Sequence, residues 1–454
     1  MAPQEVHGRR VTVVGGARSG VAVARLLVEH GADVFVSDAG EIAESFASAL
    51  DGVGVAYESN GHSGRALDAD FLVVSPGVPT STPLVQDVLR RGRAVYSEIE
   101  AASWFCRATV IAVTGSNGKT TTASLLGHIF RSAGRGTFVG GNIGTPFSDF
   151  TGSAGAGDVV VLEVSSFQLD HIDSFRPDVS ILLNVTPDHL DRYDHDFEKY
   201  ASSKFRICEN QRGEDTFVYN YDDPEVRGRA DRVREAGALV NLPAFSLEAE
   251  VVPGAFVRDG EIVLQLNGEE RLMRSEEVSL QGRHNLYNSL AAAVAARVTE
   301  VGSETVRESL ASFEGVPHRL EFVREVDGVR YVNDSKATNV NAVWYALESF
   351  DAPVVLIAGG RDKGNDYDAL KPLLRARGRA VIAVGESAEK VAAELGGEVA
   401  HAVVVTSYEE AVRYARLLAE PGDVVLLSPA CASFDMFQNY EERGDVFRKL
   451  VNDL

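Results

Sequence analysis

Val110-Ile-Ala-Val-Thr-Gly-Ser-Asn-Gly-Lys-Thr-Thr-Thr122 decides how the rest of the chain is read. A β-branched apolar run stops at Gly115, and a lysine and threonines follow where a helix should begin. That order predicts a strand, a phosphate loop and a helix N-terminus, where backbone N–H groups turn inward and the helix dipole adds partial positive charge. Lys119 then brings a full charge to the β/γ-phosphates, and Thr120 a hydroxyl for Mg²⁺. A Walker loop would carry glycine five residues before Gly118, where Val113 stands. The loop is therefore a shortened relative, Gly-Ser-Asn-Gly-Lys-Thr.

Outward from the loop, the same grammar of apolar strand, glycine turn and helix recurs at Val11–Gly16 and Val354–Gly360. With 454 residues there is room for about three domains. The expected boundaries are 1–106, 107–314 and 315–454. The first contains Val11-Thr-Val-Val-Gly-Gly-Ala-Arg-Ser-Gly20, a strand over 33–37 ending at Asp38, and a strand over 71–74 leading into Ser75-Pro-Gly77. An acidic residue after the second strand of such a unit meets a ribose or base. The second is expected to hold strands over 159–164 and 179–185, a helix over 197–210, a β-rich portion over 216–280 and an Ala-rich helix over 285–299. The third is read as parallel α/β, with strands over 354–357, 380–384, 403–406 and 423–427.

A net charge of −22 argues against bulk binding to nucleic acid or anionic membrane. It also requires any phosphate site to be built locally from cations, N–H groups and Mg²⁺. Three isolated cysteines, Cys106, Cys208 and Cys431, give neither a disulfide framework nor a zinc cluster. Residues 1–10 lack a signal-peptide core and no run approaches membrane-spanning length, so a cytoplasmic setting is expected.

The unusual residues gather at predicted strand ends, where parallel α/β sheets bind ligands. Glu163 ends Val159-Val-Val-Leu-Glu163 and reads either as a Mg²⁺ ligand or as a solvent-facing carboxylate. Asn184-Val-Thr-Pro-Asp-His-Leu-Asp-Arg192 reads as a metal or phosphate site, or as a polar loop in which Asp188 caps a following helix. Pro317-His-Arg319 and Asn333-Asp-Ser-Lys-Ala-Thr-Asn339 offer phosphate contacts and, at Asp334, a ribose contact; each alone also reads as a charged turn. Gly359-Gly-Arg-Asp-Lys-Gly364 and Ser428-Pro-Ala-Cys-Ala-Ser-Phe-Asp435 are further loops of this kind.

These segments, with Gly-Asn-Ile-Gly144 and Gly-Arg-His-Asn285, stand in the order found in the Mur ligases, which the chain resembles over all three expected domains. These are ATP-dependent amino-acid-adding enzymes of peptidoglycan synthesis. Glu163-Val-Ser-Ser-Phe-Gln-Leu169 and Pro429-Ala-Cys-Ala-Ser433 are most similar to the D-glutamate-adding member. The resemblance implies an α/β chain of three domains: Rossmann-like, then a central P-loop mononucleotide-binding domain, then a second Rossmann-like domain. It implies a monomer whose substrates are ATP, D-glutamate and UDP-N-acetylmuramoyl-L-alanine. Chemistry would run through an acyl phosphate that the amino acid attacks.

Carried over residue by residue, the resemblance gives catalytic roles to Lys119, His189, Lys204, Arg319 and Lys336. ATP would be bound by Gly115, Ser116, Asn117, Gly118, Lys119, Thr120, Thr121, Asn285, Arg319, Asp334 and Lys336. Two Mg²⁺ ions would be held by Thr120, Glu163, His189 and a carbamylated Lys204. The nucleotide-sugar falls to Arg18, Ser19, Gly20, Asp38, Gly77 and Asn142. D-Glutamate falls to Thr338, Lys363, Ser433, Phe434 and Tyr440. The chain departs from the family pattern at Ala17, in place of a middle glycine, at Pro187, and at Phe434 and Tyr440, which replace a leucine and a phenylalanine. An oxidoreductase reading of residues 11–38 leaves Lys119, Glu163 and His189 unexplained. The residues also admit a non-catalytic nucleotide-binding scaffold, and a ligase of the folylpolyglutamate or L-glutamate type.

Overall fold

Apolar, β-branched runs form three sheets in succession along the chain. The computed structural model describes residues 5–142, 144–235, 237, 241–280, 282–362 and 364–454. The first sheet comprises β1 (Arg10–Val14), β2 (Asp33–Ser37), β3 (Ala56–Glu58), β4 (Phe71–Val74) and β5 (Ala94–Ser97). All pair in parallel in the order β3-β2-β1-β4-β5, the Rossmann-like arrangement expected. Ala17 caps the helix Arg18–Glu29 in extended backbone, a conformation any residue adopts. The close approach falls instead at Gly20, where a Cβ would overlap the Gly15 carbonyl oxygen.

The second sheet runs through β6 (Thr109–Thr114), β7 (Thr137–Gly141), β8 (Val159–Glu163), β9 (Val179–Leu182), β10 (Thr216–Asn220), β11 (Ala244–Ser246), β12 (Gly254–Arg258), β13 (Glu261–Gln265) and β14 (Glu269–Arg274). Its order is β14-β13-β12-β11-β10-β9-β6-β8-β7, parallel from β7 to β12 and antiparallel beyond. The strand that feeds the Gly115–Thr120 loop, β6, thus lies between β8 and β9. Val113 pairs with Glu163 and Thr114 with Leu182, which brings the ends of both neighbours beside the loop.

Two expectations are corrected here. Residues 216–280 are not uniformly β: the helix Pro224–Glu235 separates β10 from β11. It buries only Val226, Arg229 and Ala230, too few for a clear apolar period in the sequence. The helix expected over 197–210 ends at Phe205, and a 3₁₀ turn over Arg206–Cys208 follows. The Ala-rich helix spans Arg283–Val298.

The third sheet contains β15 (Glu321–Val326), β16 (Val329–Asn333), β17 (Val354–Ala358), β18 (Gly378–Val384), β19 (His401–Val405) and β20 (Val424–Leu427), ordered β15-β16-β20-β17-β18-β19. It is not wholly parallel as expected. β15 and β16 form an antiparallel edge hairpin around Asp327-Gly328, both with positive φ, the pair that a tight hairpin turn favours.

By contact the chain divides into two compact units, Met1–Ser279 with Tyr287–Phe313, and Leu280–Leu286 with Glu314–Leu454. Within the first unit the helix Glu98–Ser103 is anchored by two buried carboxyls. Glu100 accepts from Trp104 Nε1, the N–H groups of Asp173, Ser174 and Phe175, and Ser174 Oγ. Glu98 takes the N–H and hydroxyl of Ser148 on one oxygen, and burial pushes its carboxyl up to about 7. Among the described residues no helix is long and apolar enough to cross a membrane.

Candidate active site

Gly115 and Gly118 bracket a tight loop, each with positive φ, and a Cβ at Gly118 would collide with Asn288 Oδ1. Gly118 caps the helix Lys119–Ser132 without any side-chain bond to its first N–H groups. Those donors and the dipole face the loop, as an anion requires. The loop is held from β9's end. Ser116 N–H donates to Asn184 O at 3.0 Å, and Asn117 N–H to Asn184 Oδ1 at 2.8 Å. Asn184 Nδ2 returns a bond to Asn117 O at 3.1 Å. Ser116 Oγ donates to Thr186 O at 2.8 Å and lies 2.9 Å from Tyr200 OH.

Two lysines converge on this loop. Lys119 Nζ donates to Gly115 O at 2.8 Å and Ser116 O at 2.9 Å. Lys204 Nζ donates to the same Gly115 oxygen at 2.9 Å and sits 4.7 Å from the centre of the Tyr200 ring. Lys204 is only 2% exposed. Burial, aided by the charge of Lys119, holds its amine well below the ordinary lysine range, against the pull of Asp188, Glu163 and Asp170.

Glu163 is buried rather than solvent-facing. Its Oε2 accepts from Thr120 Oγ1 at 2.7 Å and its Oε1 from Asn142 Nδ2 at 3.1 Å. His189 adopts φ 51° and stands edge-on to Phe167, with Nε2 3.7 Å from Asp188 Oδ2. The cap of the 3₁₀ turn Leu190–Tyr193 is His189, so the capping role does not fall to Asp188. Arg192 packs its guanidinium over Phe167 and donates to Gly77 O and Val78 O.

The same unit holds a cleft of about 500 Å³ lined by Arg18, Ser19, Asp38, His62, Gly77 and Asn142, among others. Gly20 lies under the loop beside it. Arg18 donates to Gly144 O at 2.9 Å. Asp38 uses both oxygens on backbone, accepting from Gly16 N–H at 2.6 Å and Gly40 N–H at 2.8 Å.

Asn285, Arg319, Asp334, Lys336, Thr338, Ser433, Phe434 and Tyr440 all belong to the second unit. Asp334, 1% exposed, accepts from Ser428 Oγ at 2.8 Å and Leu320 N–H at 3.3 Å, with Arg319 Nη1 at 3.6 Å. Burial nevertheless raises its carboxyl to about 6 against those contacts. Lys336 Nζ lies 5.2 Å from the centre of the Tyr440 ring. Arg443, fully buried, ties Ser335 to the Cys431 carbonyl and so joins two of the motif loops. Ser433 is buried while Phe434 is 61% exposed. Lys363 lies outside the described residues. His318, Leu320 and Ala430 carry left-handed backbone, as His189 does.

Sequence reasoning missed Tyr200, Asn288 and His62. Tyr200 carries a readable signal, since it precedes Lys204 by one helical turn and shares its face. Asn288 is recognisable only once Gly118 is seen beneath it.

Residues 113–296 match the Mur ligase middle domain, 318–431 the Mur ligase glutamate ligase domain, and 10–84 the MurD N-terminal domain. The UDP-N-acetylmuramoylalanine–D-glutamate ligase of Salinibacter ruber is 60% identical, with both chains covered in full. The chain belongs to the Mur ligase family. Among solved Mur ligases, the UDP-N-acetylmuramate–alanine ligase MurC of Thermotoga maritima aligns over 98% of this chain and 99% of its own, with TM-score 0.60 and 18% identity. The MurF ligase of Thermotoga maritima, solved in complex with ADP, aligns over 99% and 97% with TM-score 0.59 and 19% identity. At these identities the two structures establish the shared Mur ligase fold, three-domain α/β with parallel sheets.

Proposed function

We propose that this Mur ligase adds D-glutamate to UDP-N-acetylmuramoyl-L-alanine at the expense of ATP, through an acyl phosphate. The observation that carries the reading is the set formed by the Gly115–Thr120 loop, Glu163 and Lys204 around one helix N-terminus. The full-length identity to a ligase of that name supports the substrates, and the ADP in the MurF relative supports the nucleotide.

The substrate carboxylate attacks the γ-phosphorus of ATP and ADP leaves. The amine of D-glutamate then attacks the acyl carbon, and inorganic phosphate departs. Two anions must meet in the first step, so cations aimed at the phosphates govern its rate. Lys119 serves that role from within the loop, with N–H groups of residues 115–121 around the β-phosphate. Arg319 and Lys336 are assigned to the phosphates, and Asn285 and Asp334 to the adenine and ribose. Thr338, Lys363, Ser433, Phe434 and Tyr440 form the amino-acid pocket. Arg18, Ser19, Gly20, Asp38, Gly77 and Asn142 serve the nucleotide-sugar.

Thr120 Oγ1 and Glu163 Oε2 give two oxygens side by side, the sparse protein share that Mg²⁺ takes when phosphates and water fill the remaining positions. His189 and Lys204 would hold a second ion. Such ions, when bound, neutralise phosphate charge. Lys204 fits this only as an anion, and its buried environment favours the change. An amine held neutral adds CO₂ to give a carbamate and release one proton. The carbamate sets a negative charge opposite Lys119 where the neutral amine set none.

The test is phosphate release from MgATP and UDP-N-acetylmuramoyl-L-alanine with D-glutamate, L-glutamate or no amino acid. Release that requires D-glutamate is expected. Release with L-glutamate alone would overturn the pocket assignment, and none with either would overturn the reaction.

A further inference from the structure

Beside the cleft of the first domain, three polar side chains form a chain that no step above uses. Ser37 Oγ donates to Glu58 Oε1 at 2.7 Å, and the same oxygen lies 2.7 Å from His62 Nδ1. Ser63 N–H also donates to Glu58 Oε1, at 2.9 Å. The inventory of protons settles the directions. A carboxylate only accepts, and a serine hydroxyl has a single hydrogen. Ser37 gives that hydrogen to Glu58, so its oxygen accepts from His62, and Nδ1 carries the proton. Bonds from Ser63 and Ser37 hold Glu58 below the ordinary range despite the opposing effect of burial, which keeps it the acceptor. This is not a nucleophile arrangement: the hydroxyl is wholly buried and its proton points away from the imidazole.

In neutral His62 the other nitrogen, Nε2, is then a lone-pair acceptor. No bond to it exists among the described residues. His62 is half-buried and lines the cleft. Its loop is fixed to the neighbouring one, with Asn60 N–H on Gly40 O at 2.8 Å and Gly61 N–H on Asp38 O at 3.1 Å. Asp38 turns both oxygens to backbone N–H groups, while Arg18 brings donors.

We infer that His62 is a specificity residue of the nucleotide-sugar site, its tautomer set by Ser37 and Glu58 so that Nε2 accepts a hydrogen bond from the uridine moiety. The inference rests on the reading of this cleft as the nucleotide-sugar site. Uridine has two kinds of donor, the imide N3–H of the base and the ribose hydroxyls. Cytidine lacks the first and keeps the second.

The experiment is calorimetric binding of UDP and CDP to the full-length protein and to H62L and H62Q, with ADP binding as the check on folding. Loss of one neutral hydrogen bond should weaken UDP binding to H62L by roughly three- to tenfold. H62Q, whose amide oxygen also accepts, should recover part of it, and ADP binding should not change. Loss for UDP but not CDP identifies the imide as the donor; loss for both identifies the ribose or, through the C4 amine of cytosine, the base edge, and either supports the inference. UDP binding to H62L equal to wild type overturns it. ¹⁵N spectra of the imidazole give an independent readout, expected to show Nδ1 protonated and Nε2 bare in the neutral ring. The opposite tautomer refutes the inference even if H62L fails to fold. Wild-type protein that binds no UDP would instead overturn the reading of the cleft.

Discussion

Lys204→Met separates what the buried lysine costs the fold from what it does for the reaction. Met keeps the length and apolar stem and removes the amine. One bond is lost, from Nζ to Gly115 O, worth about 1 kcal/mol. Gly115 O is not orphaned, because Lys119 still donates to it. Against this, an amine buried beside Lys119 no longer has to be kept in the fold. Replacing buried ionic groups by apolar ones of similar volume is neutral or stabilising by about 1–4 kcal/mol. The net expectation is a variant between equally stable and about 3 kcal/mol more stable than the parent. The sign follows from linkage. The folded-state pKa lies below the unfolded one, so the unfolded chain binds the extra proton. Wild-type stability therefore carries a contribution that rises with pH between the depressed value and the ordinary lysine value of 10.5, and the variant lacks it. Calorimetric melts of both proteins from pH 7 to 9.5 read this directly. Phosphate release by the variant should fall at least a hundredfold, the scale on which a preorganised charge is felt in turnover. A variant that melts several degrees lower yet still turns over would show that Lys204 is a structural donor, and the case for its chemistry would fail.

Lys119→Ala should abolish D-glutamate-dependent phosphate release while the melting profile stays nearly unchanged; turnover within tenfold of wild type would refute the loop assignment. Thr120→Val leaves Glu163 Oε2 buried without its hydroxyl, and should cost about 1–3 kcal/mol in denaturant titration, with a higher Mg²⁺ requirement in the assay. Asp334, with a carboxyl raised to about 6, binds a proton in the fold that the unfolded chain has already released. Its contribution to stability therefore declines as pH rises from about 4 to 6 and is flat above. Asp334→Asn should remove that slope from urea midpoints taken across the window. Gly118→Ala forces a side chain into left-handed backbone, about 1–2 kcal/mol, and against Asn288; ADP affinity measured by calorimetry should drop, and wild-type affinity would show the loop to be looser than its geometry.

The site was legible where local chemistry and strand order coincide. The run from Val110 to Thr122 carries strand, turn and helix start in one piece, and β6 and its helix lie where that pattern put them. Glu163 was readable as a strand-end carboxylate, because an apolar run stops on it. What the sequence withheld depends on contacts distant along the chain. Nothing near Lys204 announces that Gly115 O, 89 residues earlier, will receive its amine. Strands β3 and β5, of three and four residues, are too short for a period to show. The helix Pro224–Glu235 hid behind its charge, and β15, the outer strand of the edge hairpin, behind its exposed residues. Asp327-Gly328 is the local sign of that hairpin, a turn pair without an apolar run on either side strong enough to frame it.

The carboxyls at the start of the helix Glu98–Ser103 bear on modular engineering. Glu100 is wrapped by Trp104 from its own helix and by three successive N–H groups from Asp173–Phe175, and Glu98 closes on Ser148. A graft that exchanges the first sheet together with this helix, cut just before β6, would sever these bonds and leave two buried carboxyls without their donors. A chimera that transplants the helix together with the segments around Ser148 and Ser174 keeps each oxygen with its donors. The natural seam for recombination therefore lies at the end of β5, ahead of this helix, and a library cut between the helix and β6 would be expected to yield mostly insoluble hybrids.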